Sequence, residues 1–441
     1  MRIAEKIRYS FFWFFDFLNG SDVKKHYNDV KFVLENYNSP KSKAKRDSYL
    51  VNILSHATKT VPFYMKISNF SSIADFPVVS KTMIRNKENF ISNEYINRRS
   101  FDISTSGSTG TPFTVLQDKN KKARNTADTI YFGEKAGYKL GYKLFYIRLW
   151  GGTLKKSKLV SFLQNIKTVK SNALADEVID NLVCEIEKGS SNKAIIGYAS
   201  SLRDVCFYLN SKNSEVLNVN MKSIIANSEA LGQSTRLSLK KYFGVEPISR
   251  YSNMENGILS QQILNKGSNF LINWASFYIE ILDLDKDVPV NYGEIGRVVV
   301  TDLFNYHMPI IRYDTGDLAI IDVDKNNFNS VPVFYKVEGR RMDTIYNTSG
   351  KPVTYAVYDL EYFPEVKQFQ LIQENHKTYL IKLSIDKIFE KEEEVRSLFQ
   401  KSLGENAEIN FEYVNEIPVL ASGKRKLTIS YLNNDTSIKK S

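Results

Sequence analysis

The sequence predicts an α/β protein in two unequal parts, and three observations carry that prediction. Between about residues 125 and 300, apolar strand-like runs such as 194–197 and 223–226 alternate with helical stretches such as 200–209, the pattern of a sheet covered by helices. Over the last hundred residues the period changes. Phe369 and Leu371 alternate with polar neighbours, as do Tyr379, Ile381, Leu383 and Ile385; Val395, Leu398, Phe399 and Leu403 follow at helical spacing, and Ile409, Phe411 and Tyr413 alternate again. That is a strand–strand–helix–strand unit, a small α+β domain. Finally, 441 residues are too many for one small domain and suit two. The composition shifts near Glu338 and Asp343, so the expected parts are 1–338 and 339–441.

The chain opens on an amphipathic aromatic helix within residues 1–20. Ile3, Ile7, Phe11, Phe14, Phe15 and Leu18 recur at helical spacing, Phe12, Trp13 and Phe17 widen the stripe, Arg2, Lys6 and Arg8 flank it, and Asn19-Gly20 ends it. Two readings are open: a helix resting in a membrane interface, which would give the protein a peripheral membrane contact, or a helix docking its aromatic face on the core. The second is the expectation, because aromatic stripes on helices are usually buried. The apolar run 11–15 is too short for a secretory segment and Asp16 interrupts it. No apolar run approaches the roughly 18 residues that span a bilayer. The rest of the first hundred residues reads as helices and loops, with Ser80-Lys81 capping a new helix after Phe76-Pro77. Residues 104–112 form a Gly/Ser/Thr-rich loop leading into a strand at 113–116, and 296–302 and 309–313 read as two further strands. The polar end, 433–441, reads as frayed.

Composition narrows the function classes. The 60 basic and 49 acidic residues leave a net charge of +11. The excess is scattered and accompanies no helix-turn-helix, zinc-finger or ribonucleoprotein signature, so no nucleic-acid partner is expected. Two cysteines and four scattered histidines exclude a disulfide framework and a structural zinc site and point to a reducing, cytoplasmic setting, with the inner face of the membrane as an option.

Four segments carry chemistry. In Ser104-Thr105-Ser106-Gly107-Ser108-Thr109-Gly110-Thr111-Pro112, glycines admit backbone amides close to an anion and hydroxyls add donors, so the loop suits a polyphosphate. No Gly-Lys-Ser/Thr follows at Walker spacing. Arg312-Tyr313-Asp314-Thr315-Gly316-Asp317 ends a strand in a turn whose aspartate could accept both hydroxyls of a ribose. Gly339-Arg340-Arg341-Met342-Asp343 sets basic residues at the joint between the two parts. Ser422-Gly423-Lys424-Arg425-Lys426 presents a lysine on a glycine-bearing loop, able to neutralise charge building on a phosphate oxygen.

In this order, and with Tyr251-Ser252-Asn253-Met254-Glu255 between them, the segments resemble the acyl-adenylate-forming superfamily of acyl-CoA synthetases, luciferases and peptide-synthetase adenylation domains. Within it the chain looks most like the phenylacetate–CoA ligase branch and its capsule-biosynthesis, CapK-like members. His56-Ala57 before Val61-Pro62-Phe63-Tyr64, Gly197-Tyr198 before Ser200-Ser201-Leu202, and Asn227-Ser228-Glu229-Ala230-Leu231 support that branch, and the likeness runs from about 50 to 426. The resemblance implies a large multi-sheet adenylation domain with a small mobile C-terminal lid. It implies an ATP- and Mg2+-dependent ligase that joins a carboxylic acid to AMP, releases pyrophosphate and passes the acyl group on.

The same resemblance implies the roles. Ser106, Gly107, Ser108, Thr109 and Gly110 would cradle the β- and γ-phosphates, Tyr251 would flank adenine, Glu255 would hold Mg2+, Asp317 would bind the ribose and Arg340 would support it. Lys424 would bridge the carboxylate and the α-phosphate, with Lys426 as a rival. Phe113 and Met342 stand where many members carry charged residues. The acid pocket would lie among Tyr146, Trp150, Asn227, Ser228 and Glu229. The tyrosine and tryptophan are open to a core role, and Glu229 to being a structural carboxylate. The acceptor would be coenzyme A, as in acyl-CoA ligases of the phenylacetate type, or a sugar or glycan amine or hydroxyl in capsular or O-antigen polysaccharide assembly. A further alternative is a catalytically weak ATP-binding partner of such an assembly.

Overall fold

The structure, a computed structural model, describes the whole chain except residues 68, 105–113, 150–156, 172–173, 341–343, 354–359, 361–362, 364, 386–387, 419–426, 433–441 and the side chain of 340. Three helices come first, α1 (Ile3–Leu18), α2 (Asp22–Glu35) and α3 (Pro40–Thr60), and a short α4 (Lys81–Ile84) is capped by Ser80 as its sequence suggests. β1 (Phe101–Ser104) and β2 (Thr114–Gln117) then form an antiparallel pair.

α5 (Lys119–Lys135) leads into an alternating series: β3 (Lys143–Arg148), α6 (Lys158–Leu163), β4 (Ile166–Lys170), α7 (Asp176–Glu187), β5 (Lys193–Tyr198), α8 (Ala199–Ser211), β6 (Met221–Asn227), α9 (Gln233–Phe243) and β7 (Ile248–Asn253). The five strands of this series run parallel in the order β4-β3-β5-β6-β7. β5 is buried along its whole length, as a parallel strand covered on both faces must be. Successive residues turn to opposite faces. Phe145, Ile147, Ile195 and Ile224 pack with α7, α8 and α9, while Leu144, Ala194, Ile196, Ile225 and Ile248 face the residues after α5.

Antiparallel strands extend the same sheet to eleven: β8 (Gly257–Gln262), β9 (Phe270–Ile272), β10 (Phe277–Leu282), β11 (Ile295–Asp302), β12 (Tyr313–Asp324) and β13 (Val331–Arg340), in the order β10-β11-β12-β13-β9-β8-β7. The expected strand at 309–313 is not formed. β12 begins only at Tyr313, because Arg312 adopts a positive φ of 51° and turns the chain, with its buried guanidinium held by Glu280 and by the Phe76 carbonyl. After β14 (Ile345–Tyr346) and β15 (Pro352–Val353) comes the predicted small unit: β16 (Val366–Gln373), β17 (Thr378–Ile385), α10 (Glu392–Leu403) and β18 (Glu408–Tyr413), closed by β19 (Thr428–Ser430). It makes its own four-stranded sheet, β18-β17-β16-β19, with its own core around Leu371, Ile381, Phe399 and Ile409.

The N-terminal helix overturns the expectation of a buried aromatic face. The residues of α1 that are buried are Glu5 and Asp16, while Ile3 is 79% and Phe17 68% exposed. The polar face found the better partners. Glu5 accepts hydrogen bonds from the backbone and side-chain amides of Asn192, and Asp16 accepts from the Val23 and Lys24 amides that begin α2.

Candidate active site

The β7–β8 hairpin places two of the expected residues. Tyr251 lies on β7 and Glu255 in the turn after it. Although three strands separate β7 from β12 in the sheet order, the Tyr251 hydroxyl donates to Asp317 Oδ2 at 2.6 Å. Burial, and then the Asp317 carboxylate, push the Tyr251 phenol well above its ordinary range, so it stays a donor at any working pH. The Asp317 backbone amide donates in turn to Thr315 Oγ1, which bonds the Val298 carbonyl, so the turn is fixed from both sides. In the β12–β13 ladder Asp317 stands directly opposite Arg340. The residue expected to bind the ribose and the one expected to support it therefore hold facing positions in the backbone ladder.

Glu255 is buried and accepts from the Tyr313 hydroxyl at 3.2 Å, while its carbonyl accepts from Gln117 at the end of β2. β2 leaves the Gly/Ser/Thr-rich loop. That loop lies outside the described residues, Ser106, Gly107, Ser108, Thr109 and Gly110 included, but its stem does not. Ser104 and Thr114 pair across the β1–β2 ladder and their hydroxyls bond at 2.9 Å. Trp150 and Lys424 also fall outside the described residues.

Of the residues expected to line the acid, Tyr146, Asn227, Ser228 and Glu229 lie on or just after parallel strands, toward the end of the sheet where open α/β sheets bind ligands. Tyr146 on β3 accepts from Arg148, and Asn227 ends β6 with its Oδ1 buried and unpaired. Ser228 follows with a positive φ of 70°, which turns the chain toward Glu229. Glu229 is half settled. One oxygen accepts from the Ser200 amide at the start of α8, a helix-capping role, and the other is buried with no hydrogen-bond partner. The structural reading of Glu229 thus accounts for one oxygen only.

Sequence reasoning missed Tyr313, Gln117 and Thr315, which hold Glu255 and Asp317, and it missed Arg250. Arg250 is buried beside Tyr251 but, by strand alternation, faces the opposite side of the sheet. Its Nε donates to Gln261, its Nη2 is buried with no hydrogen-bond partner, and burial pushes its pKa down to about 10. Its position next to the tyrosine expected to flank adenine was the available signal.

The residues fit a magnesium nucleotide in one respect that can be tested on the structure. Among the described residues no three metal-ligating side chains come together. A lone buried carboxylate, Glu255, suits Mg2+, which takes one or two carboxylates and completes its shell with phosphate oxygens and water.

This fold is that of the acyl-adenylate-forming ligases. It is similar to 2-hydroxyisobutyryl-CoA ligase in its postadenylation state with R3-HIB-AMP, with a TM-score of 0.72, 17% identity and 93% of this chain and 94% of that chain covered. It is also similar to the anthranilate CoA ligase AuaEII in complex with anthranoyl-AMP, with a TM-score of 0.54, 17% identity and coverage of 74% and 64%. The chain carries a CapK C-terminal domain, whose family model matches residues 354–431. Over its length it is similar to protein CapK of Staphylococcus aureus, 23% identical over 445 aligned positions that cover 94% of each chain. The resemblance read from the motifs is thus borne out at the level of the fold and of the C-terminal domain.

Proposed function

We propose that the protein is an ATP-dependent ligase that activates a carboxylic acid as its acyl-adenylate and transfers it to an acceptor in capsular or O-antigen polysaccharide assembly. The observation that carries the reading is the Tyr251–Asp317 hydrogen bond of 2.6 Å, which joins two motif residues 66 positions apart on a fold shared with adenylate-forming ligases. In the reaction a carboxylate oxygen attacks the α-phosphorus, the bond to the bridging oxygen breaks, and pyrophosphate leaves with that electron pair. Two anions must meet, so positioning and charge neutralisation supply most of the acceleration.

In this reading Asp317, oriented by Tyr251 and backed by Arg340, holds the ribose hydroxyls, while Tyr251 presents its ring to adenine. Ser106, Gly107, Ser108, Thr109 and Gly110 bind the terminal phosphates, and Glu255, oriented by Tyr313, is the ligand for Mg2+, which when bound would offset phosphate charge. Lys424 delivers the ammonium that bridges the two reactants. Tyr146, Trp150, Asn227, Ser228 and Glu229 line the acid. The division at 338/339 makes the C-terminal part the lid that carries Lys424 in and then rotates away. A peripheral contact of α1 with the inner face of a membrane belongs to the same proposal.

A second reading, an acyl-CoA ligase, is favoured by the similarity to ligases whose acceptor is coenzyme A. ATP–pyrophosphate exchange against aromatic, hydroxy, fatty, amino and uronic acids, without acceptor, tests the shared chemistry. Exchange with one class is expected, and coenzyme A consumption with that acid then separates the two acceptors. Asp317→Ala should weaken ATP binding, and Lys424→Ala should abolish exchange with ATP binding intact. Full exchange in Lys424→Ala would move the role to Lys426, and silence with no ATP binding would sink the reading.

A further inference from the structure

We propose that α1 and α6 together form a platform that binds the surface of an anionic lipid bilayer. The inference deepens the peripheral membrane contact named above, adding a second helix and a lipid class, and does not depend on the ligase chemistry.

The first support is the way α1 is held. An amphipathic helix normally docks through its apolar stripe; α1 docks through its acids. Glu5 is fixed at its three short bonds, from the Arg2 amide and from both amides of Asn192. Asp16 caps α2. Between them Trp13 leans on Tyr27, and the Lys24 ammonium lies 4.4 Å above the indole. Gly141 completes the seat. It has a positive φ of 96°, and a Cβ there would lie 2.3 Å from the Glu5 carbonyl oxygen, so the helix backbone rests directly on this glycine. The contacts fix which way α1 faces, and they fix its apolar stripe outward. Ile3, Ile7, Phe11, Phe14, Phe15 and Leu18 are each between 52% and 79% exposed.

The second support is that α6 does the same beside it. None of its residues is buried, and Leu159 and Phe162 are 67% and 70% exposed. The two helices meet where the Arg8 guanidinium lies 5.8 Å from the centre of the Phe162 ring. Nearly half of the large apolar side chains exposed among the described residues belong to Met1, α1 and α6. An exposed apolar surface of that kind marks an interaction site.

Charge selects the occupant. Residues 157–171, which contain α6 and the sheet's edge strand β4, hold Lys158, Lys167 and Lys170 and no aspartate or glutamate, and of the three Lys167 is paired with Glu185. Arg2, Lys6, Lys158, Lys167 and Lys170 are exposed, and the two acids of α1 both face inward. A second copy of this chain would set one cationic face against another, a repulsive pairing. A bilayer rich in anionic headgroups accepts both the apolar row and the cations around it.

The platform also lies away from the proposed chemistry. Its seats, Gly141 and Asn192, stand just before β3 and β5, at the starting ends of the parallel strands, whereas Arg148, Asn227 and Glu229 stand at the finishing ends. Lipid binding would therefore locate the enzyme without blocking the site, and the two can be broken separately.

Vesicle flotation of the full chain tests the proposal, using phosphatidylcholine alone and phosphatidylcholine with phosphatidylglycerol at a ratio of about 2:1. The protein should float with the anionic vesicles and not with the neutral ones, and added salt should release it. Phe11→Ser with Phe14→Ser should cut the bound fraction about tenfold or more, with an unchanged melting temperature because both side chains are exposed. Phe162→Ser on α6 is the second probe should the double variant fold poorly. Lys6→Glu with Lys158→Glu should give a similar loss. No flotation of the parent protein, equal flotation with neutral vesicles, or flotation indifferent to Phe11, Phe14 and Phe162 would overturn the proposal. So would a dimer in solution that Phe14→Ser dissolves, since a second copy would then be the occupant.

Discussion

In α10 the apolar stripe Val395, Phe399 and Leu403 is fully buried against the four-stranded sheet; in α1 the stripe Ile3, Ile7, Phe11, Phe14 and Leu18 points into solvent. Both stripes repeat at helical spacing, and by periodicity alone both would be assigned to a core. The period shows that a helix has an apolar face. Where that face goes depends on what the polar face can bond. The acids of α10 crowd its first turn, Glu392, Glu393 and Glu394, where they suit the helix dipole and ask for no partner in the core. The two acids of α1 are eleven residues apart, three turns along one face, and each finds amides that would otherwise lack an acceptor. The isolated pair of carboxylates on one side was the sign that α1 differs.

The largest effect should come from removing the same ring in the two helices. Phe399→Ala empties a fully buried site and should cost about 3–5 kcal/mol, whereas Phe14→Ala should stay within about 0.5 kcal/mol. Denaturant unfolding of the two variants checks this, and an equal cost would erase the distinction between the helices.

Much of the fold was legible because its signals are local. The alternation of strand and helix expected between 125 and 300 holds as far as Asn253, beyond which β8 to β11 follow one another as antiparallel strands with no helix between them, and the C-terminal strand–strand–helix–strand unit holds. The strand at 309–313 failed because a buried arginine pairing with Glu280, 32 residues away, imposes a turn that no local pattern announces. Of the site, Tyr251, Glu255 and Asp317 were marked by their motifs, and the structure brings Tyr251 to Asp317. Tyr313 and Gln117 reach Glu255 from other strands, a pairing no local pattern announces, whereas Thr315 holds Asp317 from two residues away on the same strand. Arg250 was missed for a related reason: adjacent strand residues face opposite sides, so the motif that marks Tyr251 says nothing of the face on which Arg250 lies.

Next in size is Gly141→Ala. A left-handed backbone alone costs about 1–2 kcal/mol for a residue with a Cβ, and the close Glu5 carbonyl adds to it. The substitution should lift α1 from its seat while leaving α10 as it is. Hydrogen exchange should rise tenfold or more across residues 3–18 and not across 392–403; protection kept in both would show that the glycine is not the seat.

Asp16→Ala should follow, at about 1–2 kcal/mol, the usual loss when a capping acceptor is removed. The amides of Val23 and Lys24 should lose protection together, and proteolysis near Asn19-Gly20 should quicken. A cap lost without faster cleavage would mean that α1 is held by Glu5 and Trp13 alone.

The smallest effect separates the two helices by pH. Burial works against a charged Glu5, but the bonds from the Arg2 amide and from Asn192 outweigh it and hold the carboxyl below its ordinary value of 4.5. In the unfolded chain the group binds its proton more readily, so the docking of α1 gains from this carboxylate at pH values above that ordinary range. The gain is lost as pH falls through the lower value of the folded protein. α10 docks through Val395, Phe399 and Leu403 and has no carboxylate in that face. Amide exchange measured from pH 6 down to about 3 should therefore, once corrected for the intrinsic pH dependence, show α1 opening before α10. Glu5→Gln keeps a polar side chain but not the charge, and it should make α1 exchange equally at both ends of that range. If α10 opened first, or if the acid sensitivity of α1 survived Glu5→Gln, the helix would be held by something other than its buried acid.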